Sequence, residues 1–153
     1  MEENDIKRLF DRAYEEGHLG GIEWVLSHLL TEEQNMQRAL FAAKSVLPLF
    51  EGKYPGDARP RKAIKAAEAY LANPSEEHQL ACKVADAESA AAFDHTRDIT
   101  AYVAGATAYA VVAGDVAEVG EIVALAADYV SADRKRCVYE YGLKLLTGER
   151  HHA

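Results

Sequence analysis

The chain is poor in the residues that usually announce covalent scaffolding or catalysis. It carries two cysteines, Cys82 and Cys137, with neither a CxxC pair nor Cys/His ligand spacing. Both fall in helical segments, so they read as small buried hydrophobes rather than as a disulfide or a metal site. There is one tryptophan, Trp24, read as a core or edge residue, although it stands four residues from His28 and an exposed contact pair is the other reading. No apolar run approaches the length that spans a bilayer. The acidic start MEENDIKRLF lacks the basic-then-apolar pattern of a signal peptide, so a cytoplasmic location is expected. No segment alternates apolar and polar residues with period two, which excludes a half-buried sheet. Phosphate-cradling glycine loops, Gly-x-Ser-x-Gly and His-Glu-x-x-His are all missing.

Cations are also the minority. A net charge of −8 argues against nonspecific binding to nucleic acid or anionic membrane, both polyanions. It suits solubility, and it suits a basic protein partner.

What the chain does have is helical periodicity from end to end. Ile6, Leu9, Phe10 and Ala13 recur at helical spacing, with Asn4 or Asp5 as cap and Gly17 as stop. A second segment follows Gly20-Gly21 with Ile22, Val25, Leu26, Leu29 and Leu30 apolar. Thr31-Glu32-Glu33-Gln34 has the form of a capping box and opens a helix with Met36, Leu40, Ala43, Leu47 and Phe50 on one seam. Pro48 lies inside that run and cannot donate to the Lys44 carbonyl, which predicts a kink or an end there. A fourth helix buries Ile64, Ala67, Tyr70 and Leu71. Ser75 then caps a fifth carrying Leu80, Val84, Ala87 and Ala91. Ile99, Val103, Ala106, Ala110 and Ala113 mark a sixth, ended by Gly114. Asp115 to Glu118 resembles a second capping box before Val116, Val119, Val123, Ala126 and Val130. The last helix starts at Ser131 or Asp133, carries Val138, Tyr141 and Leu145, and closes at Gly148. The fold expected is an all-α bundle of about seven or eight short antiparallel helices, a single domain over 1–150 with a tail at 151–153. His151-His152 in that tail read equally as native residues or as the remnant of a tag.

The densest group of metal-type ligands is Asp86, Glu88, Asp94, His95 and Asp98. On a continuous helix Asp94 and Asp98, four apart, and His95 and Asp98, three apart, share a face and are the candidate metal ligands, although the chain is expected to turn or kink near Asp94-His95-Thr96. A bundle site needs more ligands from a facing helix, and no matching Glu-x-x-His occurs. The group therefore reads as a solvated acidic face, with no cofactor expected. His18, His28 and His78 are isolated and read as exposed.

The stretch from Val46 to Leu71, VLPLFEGKYPGDARPRKAIKAAEAYL, breaks local rules most densely. Gly52, Pro55 and Gly56 punctuate a turn beside Tyr54, and Pro60 suits the first turn of the next helix. Arg61, Lys62 and Lys65 place cations where the helix dipole disfavours them. Such local conflicts accompany functional or strained sites. Tyr54, Pro55, Asp57, Arg59, Pro60 and Arg61 are accordingly the candidate site residues, under three readings. The arginines pair with carboxylates of the same chain and fix the turn. Or they form an anion pocket at a helix N-terminus. Or Tyr54 and the arginines are anchors that recognise a partner. The dipole argument favours an own-chain carboxylate for Arg61, Asp57 being the nearest in sequence and one from another helix binding the turn more firmly.

VLPLFE followed by YPGDARPRKAIKAAEAYL resembles the signature of the all-α immunity proteins encoded beside bacterial polymorphic toxins. The similarity is densest from Gln34 to Leu71, with an Ala-rich helical remainder compatible with it. Members carry a histidine-bearing Ala/Gly-rich helix after this signature; here VAGATAYAVVAG, residues 103–114, has tyrosines and no histidine, and no role is transferred to it. The resemblance implies a non-enzymatic protein that binds a cognate toxin and blocks it. Two other classes stay open on the residues alone: a helical-bundle metal protein or enzyme using Asp94, His95 and Asp98, and a scaffold that forms homo-oligomers.

Overall fold

The computed structural model describes residues 2–148, so the 151–153 tail lies outside the described residues. Helix accounts for 86% of them, in eight segments and without a strand among the described residues. These are α1 (Glu3–Glu15), α2 (Leu19–Leu29), α3 (Glu32–Lys53), α4 (Arg59–Ala72), α5 (Glu76–Thr96), α6 (Ile99–Ala113), α7 (Val116–Tyr129) and α8 (Ala132–Thr147).

Local chemistry explains most boundaries. Thr31 Oγ1 accepts from the Gln34 amide (3.1 Å) while the Gln34 side chain accepts from the Thr31 amide (3.0 Å), the reciprocal cap that starts α3. Ser75 accepts from the His78 amide and starts α5. Asp115 caps α7 through the Glu118 amide (3.2 Å), without the return bond of a full capping box. At α1 the cap is Glu2, not Asn4 or Asp5, and it makes no side-chain bond. Pro48 neither ends α3 nor marks its boundary, since the helix runs on to Lys53. Pro48 and Lys44 both lie on the exposed side, where water can serve the carbonyl that the proline leaves unbonded.

The centre of the bundle is α6. Val103, Ala104, Gly105, Thr107, Ala108, Ala110 and Val111 are all buried, and α3, α4, α5 and α7 all pack against it. The main core draws from every helix, from Phe10 in α1 through Met36, Val46, Ile64, Cys82, Ile122 and Val138 to Leu143 in α8. A smaller cluster of Phe50, Ala92 and Ala101, with Tyr54 and Phe93 against it, closes one end.

The structure corrects several expectations. Trp24 is 64% exposed and stacks on His28 (ring centroids 4.2 Å apart), so the pair sits on the outer face of α2. Val25 and Leu29 are exposed beside it, and only Ile22, Leu26 and Leu30 of that segment are core. Cys137 is exposed, whereas Cys82 is buried. On α5 the register is rotated. Leu80, Val84, Ala87 and Ala91 face outward, and Cys82, Ala85, Ser89 and Ala92 are buried. The reason is close approach to α6, which admits only small side chains: Ser89 Oγ donates to the Ala101 carbonyl at 2.7 Å, and a Cβ on Gly105 would lie 3.3 Å from the Ser89 Cβ.

Candidate partner-binding surface

The turn between α3 and α4 is built from its own ion pairs. The Asp57 amide donates to the Tyr54 carbonyl (3.0 Å), closing the turn around Pro55 and Gly56. Asp57 Oδ1 accepts from the Arg59 amide (3.1 Å) and from Arg59 Nε (2.9 Å), and Oδ2 accepts from the other end of the guanidinium (2.7 Å). One carboxylate thus satisfies a backbone donor at the start of α4 and grips the arginine in a two-pronged pair. Arg59 holds the Asp57 carboxyl below its ordinary value. Pro60 is buried in the first turn of α4.

Arg61 reaches back to α3. Its guanidinium engages both oxygens of Glu51, Nε donating to Oε2 at 2.6 Å. That hydrogen bond lowers the Glu51 carboxyl from its usual range and raises the Arg61 guanidinium. The partner is Glu51 from another helix rather than Asp57, so the pair ties α3 to α4 across the turn. Tyr54 is half-buried, its ring 5.0 Å from Phe50. Of the candidate residues, Pro55 and Arg61 are the exposed ones, while Tyr54, Asp57 and Arg59 are partly covered.

The residues Asp94, His95 and Asp98 are not brought together as metal ligands. Helix α5 ends at Thr96, and Arg97 adopts a left-handed conformation (φ 57°), which breaks the helical spacing between them. Asp94 and His95 stay exposed at the end of α5, while Asp98 is buried and caps α6 by accepting from the Thr100 amide (2.9 Å). Its other oxygen accepts from the Tyr129 hydroxyl (2.9 Å), which in turn accepts from Lys53 Nζ (2.9 Å). Asp98 therefore joins the ends of α3, α6 and α7. Among the described residues no three His, Cys, Asp or Glu side chains are placed to hold a metal ion. Burial pushes the Cys82 thiol up to about 11, which leaves it a packing group rather than a nucleophile.

A second polar network was missed by sequence reasoning. Arg38 on α3 is 1% exposed and engages both oxygens of Glu23 on α2, with one bond of 3.0 Å. It also donates to Asn35 Oδ1 (3.1 Å), and Asn35 Nδ2 donates to the Ser27 and Thr31 carbonyls at 3.1 Å each, capping the end of α2. Helix α8 crosses here at Gly142, where an added Cβ would lie 2.8 Å from Leu26 Cδ1 and 2.9 Å from Arg38 Nε. The available signal was an arginine directly before the apolar run ALFAA, at helical spacing from Asn35 and Ala42.

Together the fold and the turn define the class: an all-α helical bundle with a self-paired, cation-rich turn at one end. The model of the Imm-5 like putative immunity protein family matches residues 28–135, and the chain belongs to that family. No curated protein and no solved structure matches it. The matched span holds all of α3 to α7, including the α3–α4 turn, and excludes α1 and most of α2 and α8.

Proposed function

We propose that this protein neutralises a cognate bacterial toxin by binding it in the cytoplasm, without catalysis of its own. The observation that carries the reading is membership of the immunity family across 108 residues, 28–135. The surface is compatible with it. The chain has a net charge of −8, and long-range attraction to a basic toxin would speed encounter. Among the described residues, no helix is long and apolar enough to cross a membrane. In this reading the paired arginines of the α3–α4 turn hold the bundle end rigid, and binding falls to other surfaces.

The test is co-expression with the toxin domain encoded beside this chain, followed by affinity capture of one by the other. The expected result is restored growth and a stable complex. Continued toxicity together with failure of capture would overturn the reading.

A further inference from the structure

A groove of about 240 Å³ runs along the outer side of α6, lined by Asp86 and Ala90 of α5, by Tyr102, Gly105 and Tyr109 of α6, and by Glu118 of α7. Tyr102 and Tyr109 stand half-exposed along it, each about one turn from Gly105 and on either side of it. Small residues make its floor. The Asp86 carboxylate lies directly over that floor, since a Cβ on Gly105 would meet Asp86 Oδ1 at 2.9 Å.

The charges in this groove are of one sign. Asp86 is partly buried, yet among the described residues it has neither a hydrogen bond nor an ion pair. The Glu118 carboxylate likewise lacks a partner, and the charges that act on it are Glu121 and Asp115, both repulsive. Glu121 accepts only a long bond from the Tyr102 hydroxyl (3.3 Å). Elsewhere several partly covered carboxylates are paired: Glu23 with Arg38, Glu51 with Arg61, Asp57 with Arg59, Asp98 with Lys53, Glu140 with Arg136. Burial holds Asp86 and Glu118 above the ordinary carboxylate range, a desolvation cost that no cation among the described residues offsets.

We propose that the α5–α6–α7 groove receives a basic side chain of the protein partner, an arginine seated between Tyr102 and Tyr109 with its guanidinium on Asp86 and Glu118. The commitment to a cation follows from charge complementarity. Unpaired, partly desolvated carboxylates gain most from an incoming opposite charge, and they gain it in a setting where water screens poorly. Arginine fits better than lysine because a planar guanidinium stacks on tyrosine faces and offers a fork of donors to two carboxylates at once. Tyrosine and arginine are also both enriched among interface hot spots. The proposal deepens the toxin-binding reading and takes its partner from it.

Two measurements keep the proposal and that reading separable. The first is affinity for the neighbouring toxin domain, comparing wild type with the double variant Asp86→Asn/Glu118→Gln and with Tyr109→Ala. Both variants should bind roughly tenfold to a hundredfold more weakly while melting no lower than wild type. Equal affinity of toxin for wild type and the double variant overturns the groove and leaves the toxin reading standing. The second measurement uses Nα-acetyl-arginine amide as probe, followed by backbone amide shifts, with the neutral citrulline analogue as control. Saturable shifts at residues 86, 90, 102–109 and 118 with arginine alone, lost in the double variant, support the groove. Should no toxin complex form, the toxin reading falls and this titration decides the groove, an absence of shifts there overturning it.

Discussion

At the scale of single residues, this protein holds a charge inside its core. Arg38 is buried and owes its neutral surroundings to Glu23, which is itself mostly covered. Replacing both with apolar groups can be tolerated, but removing one partner strands the other. Glu23→Ala should therefore lower stability by about 3 kcal/mol, read by urea unfolding, whereas a loss below about 1 would mean that water reaches Arg38. Sequence alone did not disclose this pair. Glu23 and Arg38 are 15 apart on different helices, and only the tertiary fold makes them meet. Asp98 was visible as a residue but not in its role. Spacing placed it on one helix with Asp94, and the left-handed Arg97 sends it to the next instead. Since its oxygens already serve the Thr100 amide and the Tyr129 hydroxyl, treatment with a chelator should leave the melting temperature unchanged. A drop restored by one divalent ion would revive the metal reading.

At the scale of elements, helix existence was legible and helix rotation was not always so. The seam of α3 stood out because Met36, Leu40, Leu47 and Phe50 are large and recur at helical spacing, and all four are buried. In α5 the alanines surround the whole helix, so Leu80 and Val84 dominate any reading of periodicity. Yet the contact with α6 is decided by smallness, and those two large residues are left 63% and 50% exposed. The α5–α6 junction also carries a cost. A non-glycine residue in the left-handed region is disfavoured by about 1–2 kcal/mol, against about 0.5–1 kcal/mol of extra chain entropy lost by a glycine. Arg97→Gly should then raise stability by about 0.5 kcal/mol. A clear loss would show that the guanidinium, 5.5 Å from the Phe93 ring, contributes more than the strain removes. The α3–α4 turn gives a milder expectation, because the Arg61–Glu51 pair is exposed. Arg61→Ala should lower the melting temperature slightly and Arg61→Lys less, whereas unchanged melting in both would point to recognition as the arginine's task.

At the scale of the whole molecule, carboxylates divide into two populations with opposite pH dependence. Glu51 and Asp57 are held low, chiefly by hydrogen bonds from Arg61 and Arg59. They contribute stability above their unfolded values, and it is lost as pH falls through their lower folded values. Asp86 and Glu118 are held high by burial, and around them stand Glu121, Asp115, Tyr102 and Tyr109, with no cation between among the described residues. In the window between the unfolded carboxylate value and their raised folded values, the native state binds more protons than the unfolded chain. Stability therefore rises as pH falls through that window, and the gain is complete below the unfolded value. Urea unfolding at a series of pH values should show wild-type stability rising on mild acidification and falling once Glu51 and Asp57 take up protons. Relief of the net charge of −8 would push in the same direction, so the decisive comparison is with Asp86→Asn/Glu118→Gln. That variant should begin more stable at neutral pH and gain less on mild acidification, with its acid-side loss unchanged. Superimposable curves for the two proteins would mean that the groove carboxylates are solvated well enough to cost the fold nothing. The expected divergence would mark a fold that holds unpaired charge at a price in stability, in the place where a cationic partner would remove it.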